Sequence, residues 1–240
     1  MRNANVASPV RRMMQGGNAL KIGLFGANCS SGRAVTKVPE RWSGTWTDNL
    51  RLVQMADEAG IDFMLPIGRW KGYGGDIDMH GESLETVTWA TGLLAQTERI
   101  TVFGTVHAPL FHPIIAAKQC VTADHVGEGR FGLNIVAGWN EGEFEMFGVE
   151  QREHDARYGY AQDWIDAIKK AWGPEEDFDF DGAQLKLYAG HGFVRHRDPL
   201  AGLAFAALTQ AAPAQQREHQ DGRGGGALAH DSQERGRPAG

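Results

Sequence analysis

The chain has 240 residues, enough for one large domain or two small ones. Its charges are mixed in sign and sum to −6 at pH 7. That balance argues against general binding to nucleic acid or to an anionic membrane, since both need a basic face. Two cysteines, Cys29 and Cys120, stand far apart in no metal-type spacing. They read as buried small hydrophobes in a reduced, cytoplasmic compartment.

Residues 1–19 carry arginines but no apolar run long enough for a signal peptide, and are expected to form a disordered leader. No stretch approaches the ~18 apolar residues of a membrane span. Residues 21–27 (KIGLFGA) form a short apolar run ending in glycine, the mark of a buried strand. A polar loop with Gly32 and Pro39 follows. Residues 46–60 show helical spacing, with Thr47 or Asp48 near the N-cap and Gly60 at the stop. Residues 62–68 (DFMLPIG) are the second strand, and the glycine-rich loop RWKGYGGDIDMHGES follows. The pattern then predicts a helix over 83–97 with Ser83 as cap.

Residues 100–106 (ITVFGTV) are a continuous β-branched strand, followed by a loop over 107–111. His112–Pro113 opens a helix that runs to about Val126 and stops at Gly127. Residues 130–136 (RFGLNIV) are the fourth strand, which leads through an acidic loop to a helix over 155–172. A small hairpin with an Asp-Gly turn is expected over 176–188. Strand and helix thus alternate four times. That gives parallel strands with right-handed crossovers, either a doubly wound sheet or the first half of an eight-stranded barrel. The long polar loops follow strands, so function is expected at the C-terminal ends of the strands.

From residue 191 onward the chain contains no Lys, Ile, Asn, Met, Trp, Tyr or Cys, all of which occur before it. Lys, Ile, Asn, Tyr and Met share AT-rich codons. Their joint loss is what an out-of-frame reading of GC-rich DNA produces. Residues 190–240 are therefore read as a low-complexity, disordered, non-homologous tail, in which the apolar piece 200–208 forms one helix at most. Four βα units cannot close an eight-stranded barrel, so the edge of the fourth strand is expected to be open.

Several common chemistries are excluded. No GxGxxG follows the first strand, and there is no Walker loop, zinc-type Cys/His spacing or GxSxG elbow. No metal site is expected. Asn134 is polar inside an apolar strand, so its amide must bond either to a ligand or to a neighbouring strand. Trp139, at the strand's end, either walls a flat ligand or packs. Glu141, Glu143 and Glu145 crowd the loop, where a charge cluster is ordinarily a solvated face. Arg157 starts a helix, where a cation needs a local partner such as a phosphate, Asp155 or Glu153. Tyr158 falls on that helix's apolar stripe. His80, His107 and His112 lie in or beside the loops that follow strands.

The combination GRFGLNIVAGW, then E-x-x-x-F-G, then RY, resembles the bacterial luciferase-like flavin-dependent monooxygenases. KIGLF, MADEAGIDFML, ESLETVTWATGLLAQTERI and HPIIAAKQ fit the same family, over residues 20–189. The resemblance implies a (β/α)8 barrel of which only the first four βα units are present. It also implies a two-component enzyme that uses reduced FMN and O2, with the flavin supplied by a separate NAD(P)H:flavin reductase. The substrate would be a small organosulfur compound or nitrogen heterocycle, and the family implies a homo-oligomer. By matching position, Gly68, Arg69, Asn134, Glu143, Arg157 and Tyr158 resemble flavin contacts, and His107 is a candidate for substrate contact. The alternatives are an inactive half-barrel and a deazaflavin-dependent oxidoreductase of the same superfamily.

Overall fold

The computed structural model describes residues 19–173 and 177–193, together with Met14 and the strand Ala204–Ala207. The rest of the leader and of the tail lie outside the described residues.

The expected alternation is present. β1 (Gly23–Phe25) leads to α1 (Trp46–Glu58), and β2 (Phe63–Leu65) to α2 (Thr86–Leu94). β3 (Thr101–His107) leads through a 3-10 turn to α3 (Pro113–Val126). β4 (Phe131–Val136) leads to α4 (Glu141–Phe147) and then α5 (His154–Ala171). β5 (Asp177–Asp181) and β6 (Lys186–His191) form the antiparallel hairpin, and β7 is Ala204–Ala207. The larger sheet is parallel throughout, in the order β1-β2-β3-β4-β7.

Local signals set most boundaries, and four expectations change. Thr45 caps α1, not Thr47 or Asp48: its hydroxyl accepts the Asp48 N–H at 3.3 Å. α2 starts at Thr86, with Glu85 as cap. Ser83 stays extended because it bridges to Cys29, and its hydroxyl donates to Arg69 O at 3.0 Å. The acidic segment after β4 is a helix, closed by Gly148 in the left-handed region at φ 65°. Finally, Ala204–Ala207 is a strand where one helix at most was expected, and it pairs along β4, so that edge is not open. An unpaired strand edge offers a row of backbone donors and acceptors, which an extended segment satisfies and a helix cannot.

Register decides which side chains reach the mouth of the sheet. Thr105 lies opposite Asn134 and His107 opposite Val136. A Cβ built on Gly132 would meet the Phe103 ring, while one on Gly104 would meet Phe131 and the α2 residue Val87. Thr105, His107 and Asn134 therefore share the face away from the helices, and Val102, Val106, Leu133 and Ile135 face the helical layer. That layer holds a dry core in which Val53, Leu93, Ile100, Trp164 and Ile168 have no exposed surface.

The opposite end is tied by two buried charges. Asp57 accepts the N–H groups of Glu98, Arg99 and Ile100 at 2.9, 2.9 and 2.6 Å. Arg130 donates to Leu94 O, Thr97 O and Ile100 O, and to the Thr97 hydroxyl. Both stand where β3 and β4 begin, so they hold the base of the sheet, at the end opposite the loops that carry the candidate residues.

Candidate functional site

The loops after β2 and β4 meet at one buried pair. Arg69, on the loop after β2, is 8% exposed and Glu143, on α4, is 2% exposed. Arg69 Nη1 donates to Glu143 Oε1 at 3.3 Å. The same oxygen accepts the backbone N–H of Trp70 at 2.8 Å and of Lys71 at 3.4 Å. Arg69 Nη2 donates to the Tyr73 hydroxyl at 3.1 Å. Its guanidinium lies over two rings, 4.8 Å from the Tyr73 centroid and 5.3 Å from that of Trp139. Weakly hydrated guanidinium is the cation best suited to such stacking.

The turn after β4 explains why α4 can reach this position. Gly138 adopts φ +82°, and a Cβ there would sit 2.7 Å from the Phe144 ring. Phe144 therefore packs onto the glycine and turns α4 so that Glu143 points inward. Glu141 and Glu145, one helical turn apart on the opposite face, stay exposed. The expectation of a solvated acidic face holds for those two and fails for Glu143.

His107 ends β3 beside this pair. Its Nε2 lies 3.7 Å from Glu143 Oε2. Burial, and then the Arg69 charge, push the imidazole down to about 4, so at pH 7 it is neutral and the contact is not an ion pair. Gly68 is the close neighbour: a Cβ there would stand 2.7 Å from His107 Cε1 and 2.8 Å from Thr105 Cγ2. Thr105 donates its hydroxyl to Pro66 O at 2.9 Å and accepts the Asn134 Nδ2 donor at 3.1 Å. Gly68, Arg69, His107, Asn134 and Glu143 thus form one contiguous cluster, with Thr105, Tyr73 and Trp139 as its remaining walls.

The His107 shift fixes a pH dependence. The unfolded chain, with an ordinary imidazole near ~6.5, binds a proton that the folded chain refuses. Stability therefore rises with pH over this window. It is fully present above about 6.5 and falls as pH drops toward 4, by about 3 kcal/mol in all. Urea midpoints between pH 7 and about 4.5 should show a flatter slope in His107→Gln than in the unaltered protein. Equal slopes would mean that His107 is not the group responsible.

The remaining candidates separate. Arg157 donates Nη1 to Gly138 O at 2.7 Å, so its partner is the carbonyl at the end of β4 rather than Asp155 or Glu153. Tyr158 is 37% exposed, with its ring 5.0 Å from that of His154, so it is not core. His80 donates Nε2 to Gly32 O at 2.7 Å, tying the loop after β1 to the loop after β2. His112 caps α3. Both cysteines are fully buried, and burial raises both thiols, Cys29 to about 12. Among the described residues no cluster of metal-ligating side chains occurs, and no helix is long and apolar enough to cross a membrane.

Among the described residues, Arg69 Nε, His107 Nδ1, Asn134 Oδ1 and Arg157 Nε are buried polar atoms without a hydrogen-bond partner. Buried polar groups are rarely left so. Outside Tyr73 a cleft of about 440 Å³, lined by Val35, Tyr73, Ile77 and Met79, opens between the loops after β1 and β2.

The luciferase-like monooxygenase family matches residues 20–233. The chain belongs to that family. Among its curated relatives, the FMNH2-dependent dimethylsulfone monooxygenase of Pseudomonas putida is 35% identical over 68% of this chain and 44% of its own length. The pyrimidine monooxygenase RutA of Serratia proteamaculans is 31% identical over 70% of this chain and 46% of its own. The chain therefore spans about half the length of the curated relatives it matches. Of solved structures, the EDTA monooxygenase of Chelativorans sp. BNC1 superposes with a TM-score of 0.69 at 16% identity, over 80% of this chain and 50% of that one. This likeness bears on the fold alone and matches the expected luciferase-like barrel. Sequence reasoning missed Thr105 and Tyr73. A threonine two residues before His107 in an apolar strand shares its face, and that alternation was the available signal for Thr105. No signal marked Tyr73.

Proposed function

We propose that this chain carries the flavin-binding half of an FMN-dependent monooxygenase acting on a small organosulfur compound or nitrogen heterocycle. The reading is supported above all by the four unpartnered polar atoms gathered where β2, β3 and β4 end. When bound, reduced FMN would supply two electrons and O2 the oxygen, so that one oxygen atom would enter the substrate, the other would leave as water, and the flavin would be left oxidised. The flavin would come reduced from a separate reductase.

The chain's own residues bind and exclude. Arg69 and Arg157 offer Nε–H donors to oxygens of the cofactor. Asn134 Oδ1 would be the acceptor for an N–H of the bound ring. Gly68 lets the loop approach His107 without a side chain between. His107 stays neutral, so it contributes a hydrogen bond and no charge beside the reacting substrate. Trp139, stacked on Arg69, walls the flat ligand, and the buried surroundings keep water out.

Titration with FMN, oxidised and chemically reduced, tests the reading, with a deazaflavin as the control cofactor. Saturable one-to-one FMN binding is expected, and Asn134→Leu should weaken it at least tenfold. Absence of FMN binding by a chain with a cooperative melt would support the inactive half-barrel, and preferential deazaflavin binding would replace the cofactor. Turnover with sulfones, sulfonates and pyrimidines, in the presence of a flavin reductase, then assigns the substrate. Residues 190–240 carry the composition of an out-of-frame stretch, and backbone pairing of a four-residue strand makes no demand on reading frame. Sequencing the coding DNA around that point and translating all three frames tests this. A shifted frame that resumes apolar strands supports it, and none doing so overturns it.

A further inference from the structure

The cleft between the loops after β1 and β2 shares Tyr73 with the cluster around Arg69. The Tyr73 hydroxyl accepts from Arg69 Nη2, and its ring lies 4.8 Å from the guanidinium and 5.6 Å from the His80 ring. The side chain nevertheless stays 42% exposed and forms part of the cleft wall. Val35, Ile77 and Met79 supply further apolar lining. At Gly74 and Gly75 a built Cβ would meet nothing within 4 Å, so bare backbone borders open space there. The volume, about 440 Å³, suits a small organic molecule.

Charge decides which molecule fits. Among the described residues that line the cleft only Lys37 and Asp76 are charged, and Lys37 Nζ lies 2.7 Å from Asp76 Oδ2. The pair joins the two loops, and each charge is spent on the other. Behind Tyr73, Arg69 is already paired with Glu143. A bound anion would therefore find no uncommitted cation. Local bonds hold the lining in place. Tyr73 N–H donates to Met79 O at 3.2 Å, Gly74 N–H to Asp78 Oδ1 at 2.9 Å, and Arg41 Nη1 to Ile77 O at 2.7 Å across the two loops. The cleft is thus formed before a ligand arrives, which lowers the cost of binding.

We infer that this cleft is a subsite for the organic substrate, and that it admits uncharged molecules, a sulfone or a neutral heterocycle, and turns away anions such as sulfonates. The inference rests on the monooxygenase reading, in which an organic molecule must dock beside the flavin-binding cluster. Tyr73 is the wall common to both. FMN itself does not suit the cleft, because its phosphate would meet no free cation.

Dimethylsulfone and methanesulfonate make the test, since they are nearly equal in size and differ by a methyl group against a charged oxygen. The methyl resonances of Val35, Ile77 and Met79 are followed in the full chain, without FMN and at low ionic strength. Dimethylsulfone should shift them saturably, and methanesulfonate should bind at least tenfold more weakly. Ile77→Ser should weaken dimethylsulfone about fivefold by removing apolar wall. Asp76→Asn frees Lys37, so methanesulfonate should gain about fivefold while dimethylsulfone stays within about twofold. That gain should disappear at ~1 M salt.

Equal binding of the two probes by the unaltered chain, or no gain for methanesulfonate in Asp76→Asn, overturns the charge rule. Shifts that never saturate, or no shifts at all, overturn the subsite. Saturable dimethylsulfone binding by a chain that fails to bind FMN sinks the flavin reading and leaves the cleft as a site for uncharged organic molecules. FMN binding without methyl shifts does the reverse. Should Ile77→Ser fail to fold, Asp76→Asn, a change at an exposed side chain, carries the comparison alone.

Discussion

Arg130→Ala is expected to destabilise the chain by about 3 kcal/mol or more, a large share of the ~5–15 kcal/mol that holds a domain together. The side chain is 5% exposed and donates to three backbone carbonyls and one hydroxyl. Removing it strands Leu94 O, Thr97 O and Ile100 O away from water, at about 1–3 kcal/mol for each group left without a donor. Arg130→Met should recover little, because an apolar chain of similar length fills the space and still leaves the acceptors unpaired. Urea midpoints measure this directly. A loss under about 1 kcal/mol for both variants would mean that water replaces the guanidinium, and that the base of the sheet is looser than its bonds indicate.

The second large effect has opposite signs for stability and binding. Asn134→Val is expected to leave the ligand-free chain as stable as before, or about 1 kcal/mol more stable, and to weaken FMN at least tenfold. Asn134 is 4% exposed, and its Oδ1 has no partner. Valine suits a buried strand and removes that unsatisfied acceptor. Thr105 is not stranded by the change, since its hydroxyl still donates to Pro66 O. Thermal melts with and without FMN would show a higher or equal midpoint without ligand, and a smaller ligand-induced rise. A clear fall in the ligand-free midpoint would make Asn134 a structural bridge and remove the main acceptor from the proposed site.

The candidate site was legible where one residue contradicts its local setting. Asn134 was visible because an amide in an apolar strand must find a partner, and His107 because it opened the loop that follows a strand. Glu143 was masked by Glu141 and Glu145: as a loop the three look alike, and only helical geometry turns the middle one away from its neighbours. Arg157 lay near carboxylates in sequence, but the helix start placed it against Gly138 O. Tyr73 sits in a glycine-rich loop without periodicity, so nothing local announced its bond to Arg69.

The sequence by itself determined the four strand–helix units, their parallel arrangement and the end of the sheet where the candidate residues gather. Hydrophobic period and capping act over a few residues and can be read along the chain. The tertiary structure alone decided that Oε1 of Glu143 faces Arg69, that Thr105 stands opposite Asn134, and that Ala204–Ala207 covers the β4 edge. Each of these joins residues distant in the chain, and their meeting depends on register and on the angle at Gly138, which no local pattern encodes.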